Sequence, residues 1–167
     1  MLLNSWASWE QTCAQFVSII IPAYKEEEHI AETVTDVVAA LERASLEFEV
    51  IIVLDSIPGD CTGSITHELR ERFSEIRLVE RQGRRGVGDA IRAGIKLAKG
   101  NILVPIMGDH SEDPQDLLRL INAIVQGFHI AIGNRFRHGK PRSYPPLKYV
   151  ANRCCNYLTK LLFRIPS

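Results

Sequence analysis

Short apolar runs alternate with segments of helical periodicity along this chain, and this alternation limits the folds that it can adopt. The apolar runs cover residues 16–21, 48–54, 76–80, 101–107 and 128–132. The segments between them carry apolar residues at helical spacing, near residues 27–44, 64–73, 89–99 and 113–127. Strands joined by helices in this order pair in parallel. The sequence therefore predicts a doubly wound α/β fold with the order β-α-β-α-β-α-β-α-β.

The last of these helices has clear signals at both ends. Asp113 is a residue type preferred at an N-cap, and Pro114 suits the first helical position. Gly127 suits the far end, where the chain often turns into a left-handed conformation. Asp113 is therefore interpreted as a helix cap rather than as a ligand.

Composition favours one domain with an uneven distribution of charge. A chain of 167 residues with 46% hydrophobic content can bury one substantial core. The formal net charge is zero, but all 20 acidic residues lie at or before Asp116. Residues 134–167 carry eight of the 20 Lys and Arg residues and no acid. The neutral total thus combines an acidic body with a basic tail.

The cysteines and the hydropathy pattern indicate a reduced, non-spanning chain. The four cysteines have no metal-ligand spacing, and the adjacent Cys154 and Cys155 are expected to be reduced, buried thiols. The first 16 residues lack the basic start and the apolar core of a signal peptide. No apolar run approaches the roughly 18 residues of a membrane span. A cytoplasmic chain, soluble or peripheral, is expected.

Four charged or glycine-containing loops follow the predicted strands. They read PAYKEEE, DSIPGD, RQGRRGVGD and MGDHSED. In open α/β sheets, ligands bind beyond the carboxyl ends of the strands. A single Asp at a strand end is usually a cap or a turn former, but four such loops at one edge predict a nucleotide site.

Two of these loops have a chemistry suited to a nucleotide. Asp55 can accept hydrogen bonds from a base or a ribose hydroxyl, although it could also cap a turn. In the third loop, Arg84 or Arg85 could neutralise a diphosphate near the N-terminus of the next helix, or could simply be solvated. Its spacing matches neither the dinucleotide-binding glycine pattern nor a P-loop.

The fourth loop carries the candidate metal ligand. Asp109 follows the predicted strand directly, and Mg²⁺ and Mn²⁺ are commonly held by one or two carboxylates together with substrate phosphates. His110 could join Asp109 if the ion is Mn²⁺. The sequence thus predicts a divalent cation at this loop.

Four segments together resemble glycosyltransferase family 2 of the GT-A fold. They are VSIIIPAYKEEEHI, FEVIIVLDSIPGDCTGSI, RRGVGDAIRAGIKLAKGNILVPIMGDHSEDPQDL and AIGNRFRHG, in the family's order and spacing, within residues 17–166. They are most similar to polyprenyl-phosphate sugar transferases of the dolichol-phosphate mannose synthase type. The resemblance implies a Rossmann-like sheet and an inverting, metal-assisted transfer. A sugar would pass from a nucleotide-diphosphate sugar to a dolichyl or undecaprenyl phosphate, as in cell-envelope glycan assembly.

The resemblance also implies roles for individual residues. Asp55 matches the first acid of a pair that reads the base, with Ser56 in place of the second, and Lys25 stands where asparagine is usual. Arg135 lies in an element whose arginine faces the donor diphosphate or the acceptor phosphate. The remaining matches in the donor-binding loops are Pro22, Tyr24, Glu26, Arg85, Gly86 and Gly88.

The metal motif departs from the family pattern of Asp-x-Asp. Alignment on Pro114 places Gly108 at the first acid, Asp109 at the middle position and His110 at the second. Either Asp109 holds the metal in a shifted geometry or the affinity for metal is reduced. Asp109 and Arg135 are the predicted catalytic residues, and Asp109 and His110 the predicted metal ligands.

The basic tail is predicted to lie on a membrane. Its apolar residues fall near helical spacing, with basic residues left for the other faces, which suits an amphipathic helix on an anionic surface. An ordinary helix packed on the sheet is the alternative. The expected organisation is an extension at 1–15, the nucleotide-sugar-binding domain at 16–140 and the tail at 141–167, on the inner face of the membrane.

Three functional classes stay open at this level. A transferase would bind a nucleotide-diphosphate sugar and a lipid phosphate, and no nucleic acid. A catalytically impaired nucleotide-sugar-binding module is the alternative, since relatives continue beyond the point where residue 167 stands and the metal motif is altered. A nucleotidyltransferase should have glycines directly after the first strand, and PAYKEEE has none.

Overall fold

The computed structural model describes residues 15–82, 86–133 and residues 154, 155 and 157. The chain divides into two units, Met1–Ala131 and Ile132–Ser167. The described residues of the first unit form four strands and four helices. In chain order they are β1 (Phe16–Ala23), α1 (Ile30–Arg43), β2 (Glu47–Ser56), α2 (Thr62–Arg72), β3 (Ile76–Gln82), α3 (Val87–Leu97), β4 (Ile102–Pro105) and α4 (Pro114–Val125).

The four strands form one parallel sheet in the order β3-β2-β1-β4, which confirms the predicted α/β class. Alternate residues of β1 supply opposite faces of this sheet. Ile19 and Ile21 pack with α1, α2 and α4, whereas Ile20 packs with Ala90 of α3. Because helices cover both faces, the central strands β1 and β2 are buried on both sides and read as nearly continuous apolar runs, whereas β3 and β4 at the sheet edges are partly exposed.

The predicted fifth strand at residues 128–132 is wrong. This segment has no strand geometry, and Phe128, Ile130 and Ile132 are 63%, 77% and 83% exposed. A strand needs a neighbour to accept its backbone hydrogen bonds, and β4 pairs with β1 alone among the described residues. Periodicity identified the apolar side chains but could not show whether this segment pairs with another strand.

The end signals of α4 are confirmed. Asp113 accepts a hydrogen bond from the amide of Gln115 at 2.8 Å, with Pro114 at the first helical position. Gly127 follows the helix with a φ of 101°, in the region that favours glycine. The chain is thus free to leave the helix directly after residue 125.

The predicted amphipathic helix of the tail lies almost entirely outside the described residues. Cys154, Cys155 and Tyr157 are helical and exposed, so the expectation of buried thiols is wrong for both cysteines. In the part of the chain that the structure describes, no helix has the length and apolar character needed to cross a bilayer.

A buried carboxylate joins the amino ends of the strands. Glu49 of β2 accepts hydrogen bonds from Ser18 of β1 at 2.7 Å and from Arg77 of β3 at 2.7 Å. It also accepts one from the amide of Lys99, which precedes β4, at 2.6 Å. Burial raises the pKa of Glu49, but these hydrogen bonds outweigh burial, so its pKa is lowered overall.

Replacement of Gly94 by alanine tests how closely α3 approaches the sheet. An added Cβ would collide with the side chain of Ile20, so we expect Gly94→Ala to lower the free energy of unfolding by about 1–3 kcal/mol. Gly88 on the same helix has nothing within 4 Å of an added Cβ. Gly88→Ala is therefore the control and should cost nothing in urea denaturation; equal losses for both variants would contradict the close approach.

Glu49 should make the free energy of unfolding depend on pH in the acidic range. Its lowered pKa means that its contribution is complete above its ordinary value of 4.5 and is lost as the pH falls through the folded-state pKa. We expect Glu49→Gln to cost about 2 kcal/mol at pH 6. The difference between the two proteins in urea denaturation should shrink towards pH 3. A difference that stays constant with pH would exclude this role.

Candidate functional site

A cleft of about 190 Å³ opens at the carboxyl edge of the sheet. It lies where β1 and β2 end and where α3 begins, with Met107 contributing from the loop after β4. This is the edge where ligands bind in open α/β sheets, beside the point at which the strand order reverses. The lining residues are Pro22, Ala23, Tyr24, Glu26, Val53, Asp55, Gly86, Val87, Ala90 and Met107.

The structure brings five of the sequence-predicted site residues together at this cleft. They come from the loops after β1 and β2 and from the start of α3, and they are Pro22, Tyr24, Glu26, Asp55 and Gly86. Gly88 lies in the first turn of α3 and is not part of the lining. Arg85 and Arg135 lie outside the described residues.

Backbone hydrogen bonds hold the loop after β1 against the start of α2. The amide of Glu26 donates to Thr62 Oγ1 at 2.9 Å, and the amide of Lys25 donates to Asp60 at 3.3 Å. Lys25 has a φ of 57°, a left-handed conformation that asparagine tolerates better than lysine. The asparagine usual at this position in the family that the chain resembles therefore has a conformational reason.

Asp55 forms a buried ion pair with Arg81 at the floor of the cleft. The two residues are direct partners in the register of β2 and β3. Arg81 donates from Nε to Asp55 Oδ1 at 2.8 Å, and its Nη2 lies 2.6 Å from the same oxygen. The side chain of Asp55 is only 5% exposed and that of Arg81 only 11%. The guanidinium thus fixes the orientation of the carboxylate.

Sequence reasoning missed Arg81. It assigned the basic role to Arg84 and Arg85, further along the same loop. The available signal was positional, because Asp55 and Arg81 both stand at the polar ends of apolar strands. Their pairing required the register between β2 and β3, in which Val50 faces Ile76.

The first turn of α3 borders the cleft. Gly86, with a φ of 85°, precedes the helix and, together with Val87, forms part of the lining. The first amides of a helix have no partner within it, and its N-terminus carries a partial positive charge. This end of α3 can therefore donate hydrogen bonds to an anionic group in the cleft.

Glu26 lines the cleft and lies near the start of the loop that carries Asp109, because a Cβ added at Gly108 would lie 3.4 Å from Glu26 Cγ. Burial, followed by the nearby charge of Asp109, raises the pKa of Glu26. Asp109 itself is exposed and accepts a hydrogen bond from the amide of Ser111 at 3.2 Å. Carboxylate oxygens are the ligands that Mg²⁺ and Mn²⁺ prefer, so the chemistry of these two side chains fits a divalent cation.

His110 faces α1 and is absent from the lining of the cleft. Its Nε2 lies 3.1 Å from Asp36 Oδ2, and its Nδ1 lies 3.6 Å from Glu32 Oε2. Within the described residues, these three side chains form the group whose potential metal-ligating atoms lie within 4.8 Å of one another, and Asp109 is not a member. The hydrogen bond to Asp36 raises the pKa of His110 and burial lowers it. The charges of Glu32 and Asp36 also raise it, so the pKa of His110 is raised overall.

Comparison with known proteins matches this chain to glycosyltransferases, both by family profile and by individual relatives. The sequence profile of glycosyl transferase family 2 matches residues 18–164. A dolichol-phosphate mannosyltransferase of Pyrococcus furiosus is 33% identical over 77% of this chain. An undecaprenyl-phosphate 4-deoxy-4-formamido-L-arabinose transferase of Edwardsiella ictaluri is 29% identical over 70% of it. The matched region spans 36% of the length of each of these two relatives.

The fold is also shared with a solved structure. Glucosyl-3-phosphoglycerate synthase of M. tuberculosis superposes with a TM-score of 0.51 and 26% identity. The match covers 68% of this chain and 41% of that protein.

Removal of Arg81 should expose the cost of burying Asp55. We expect Arg81→Met, which keeps the bulk of the side chain but removes its charge, to lower the free energy of unfolding by roughly 3 kcal/mol. Arg92→Met is the control, because Arg92 pairs with Asp89 on the surface, where the arginine is 72% exposed. Urea denaturation measures the free energy of unfolding of both variants. Similar small losses would show that the ion pair of Asp55 and Arg81 contributes no more than a surface pair.

Proposed function

Because the chain belongs to glycosyl transferase family 2, we propose that it transfers a sugar from a nucleotide-diphosphate sugar to a polyprenyl phosphate, with inversion at the sugar carbon. One observation carries this proposal. Five of the seven residues expected to bind the donor, which come from three separate segments of the sequence, line one cleft at the edge where such sheets bind ligands. The names of the two curated relatives support a polyprenyl-phosphate acceptor.

The cleft suits the nucleoside part of the donor. Its volume of about 190 Å³ is below the roughly 300–1,000 Å³ of complete ligand pockets. Asp55, oriented by Arg81, accepts hydrogen bonds from the base or the ribose. The diphosphate then extends past the N-terminus of α3. In the sequence, Arg85 directly precedes the N-cap Gly86, and Gly88 lies in the first turn of the helix.

Asp109, with Glu26 beside it, would hold Mg²⁺ or Mn²⁺ next to that diphosphate. A divalent cation supplies positive charge that stabilises the leaving diphosphate. His110, the other predicted ligand, would have to leave Asp36 and Glu32 to reach the same ion. We therefore assign the metal to Asp109.

The acceptor phosphate needs little activation. A phosphate monoester is largely ionised near neutral pH, so a strong general base is unnecessary. The chain contributes by orienting the donor so that the acceptor oxygen approaches the sugar from the face opposite the diphosphate. Arg135 is proposed to face the donor diphosphate or the acceptor phosphate and to neutralise its charge.

The lipid acceptor places the reaction at a membrane surface. Residues 134–167 carry eight basic residues and no acid, which suits attraction to anionic lipids. We propose a peripheral position at the cytoplasmic face, with residues 141–167 as the contacting segment. Binding to vesicles that contain anionic lipid, and its loss at high salt, would support this position.

A second candidate is a nucleotide-sugar-binding module with impaired transfer. Gly108 and His110 stand where the family usually has the two acids of its metal motif, and His110 is engaged with α1. Calorimetric titration with UDP-sugars and GDP-sugars, with and without Mn²⁺, tests binding. Transfer of a radiolabelled sugar to a polyprenyl phosphate then separates the transferase from the binding module.

Asp109→Ala tests the metal assignment. We expect transfer to fall by at least about 100-fold, because charge stabilisation of the leaving group is lost. The fold should be intact, since Asp109 is exposed. Asp116→Ala is the control, because this acid pairs with Arg119 on the surface of α4. Unchanged turnover in the Asp109 variant, measured by the radiolabel assay, would refute the assignment.

A further inference from the structure

The loop after β4, residues 108–111, is held against α1 by contacts that the proposed chemistry does not use. The first is a buried hydrogen bond, in which Thr33 Oγ1 donates to the carbonyl oxygen of Gly108 at 3.2 Å. The second is close packing, because a Cβ at Gly108 would lie 3.1 Å from Ile30 Cδ1 and 3.4 Å from the carbonyl oxygen of Pro22. The loop therefore begins in a fixed position.

His110 provides the third contact and uses both ring nitrogens. Glu32 and Asp36 lie four residues apart on α1, so their side chains are neighbours on the helix surface. The imidazole meets one carboxylate with Nδ1 and the other with Nε2. If His110 turned away from α1, the two like charges would be left adjacent, which is unfavourable. The ring is thus stabilised where it is.

Asp109 stands between these two held residues. The carbonyl of Gly108 is bound on one side and the ring of His110 on the other. The backbone of His110 has a φ of 53°, a conformation that the ring contacts must maintain. Gly108, directly before Asp109, packs near Glu26 of the cleft, because an added Cβ would lie 3.4 Å from Glu26 Cγ.

We propose that His110 is a positioning residue which, through Asp36 and Glu32, holds the 108–111 loop so that Asp109 can support metal-dependent binding of the donor. This inference rests on the proposed function, because it assigns Asp109 to the metal. It gives the histidine a role different from that of the acid it replaces in the family motif. Partners of this kind typically change metal affinity by 10- to 100-fold when they are removed.

Two variants test the proposal from opposite sides of the contact. His110→Asn suits the left-handed backbone but cannot reach both carboxylates. Asp36→Asn leaves the histidine in place and removes the charge that it contacts most closely. His67→Asn is the matched control, because His67 also pairs with a carboxylate, Glu80 at 3.0 Å, but on α2 and β3.

The first measurement is hydrogen–deuterium exchange of the metal-free protein. We expect both variants to speed exchange in the peptide that covers residues 106–113, with no change in the strands and none in the control. This readout needs neither ligand nor activity. Unchanged exchange in that peptide would overturn the positioning role.

The second measurement is calorimetric titration with GDP and UDP, each with and without Mn²⁺. We expect both variants to lose roughly 10-fold of the affinity gained from Mn²⁺, while binding without metal stays as in the unaltered chain. A direct ligand role for His110 predicts instead that Asp36→Asn, which frees the ring, keeps or increases the gain; that result would overturn the proposal. If the unaltered chain binds neither nucleotide, the proposed function itself fails and the inference fails with it.

Discussion

Glu49 accepts hydrogen bonds from groups that belong to, or lead into, each of the other three strands. Ser18, Arg77 and the amide of Lys99 converge on this one buried carboxylate, and the amide of Gly100 donates to Ser18 in turn. The amino edge of the sheet is thereby closed by a charged group whose hydrogen bonds are satisfied. The carboxyl edge of the sheet carries the cleft, and its polar loops can contact a ligand.

At that opposite edge, charged side chains are held by neighbours before any ligand arrives. Arg81 orients Asp55, and the carboxylates of α1 hold His110. Dipoles and charges that are already oriented need not reorganise when a charged group binds or leaves. The orientation of each of these side chains therefore depends on contacts between two elements of the fold, and not on one loop alone.

Local sequence signals predicted the elements well, and contacts between distant residues could not be predicted. The apolar runs gave β1 to β4, and Asp113 gave the start of α4. The predicted strand at residues 128–132 was wrong because an apolar run does not reveal whether the segment pairs with another strand. The loops of the cleft and Asp55 followed from strand ends, and the other predicted cleft residues followed from the family resemblance. The pairing of Asp55 with Arg81 depends on the register between β2 and β3. His110 meets Asp36 across 74 residues of sequence.

The close packing at Gly108 has a consequence for substitutions in this metal motif. An acid at this position would place its Cβ 3.1 Å from Ile30 Cδ1, and Ile30 is fully buried. The carbonyl oxygen of Pro22, 3.4 Å from the same Cβ, belongs to the backbone and cannot rotate away as a side chain would. An acid at residue 108, as in the family pattern, is therefore coupled to the packing of residue 30, whose side chain must give way by a few tenths of an ångström.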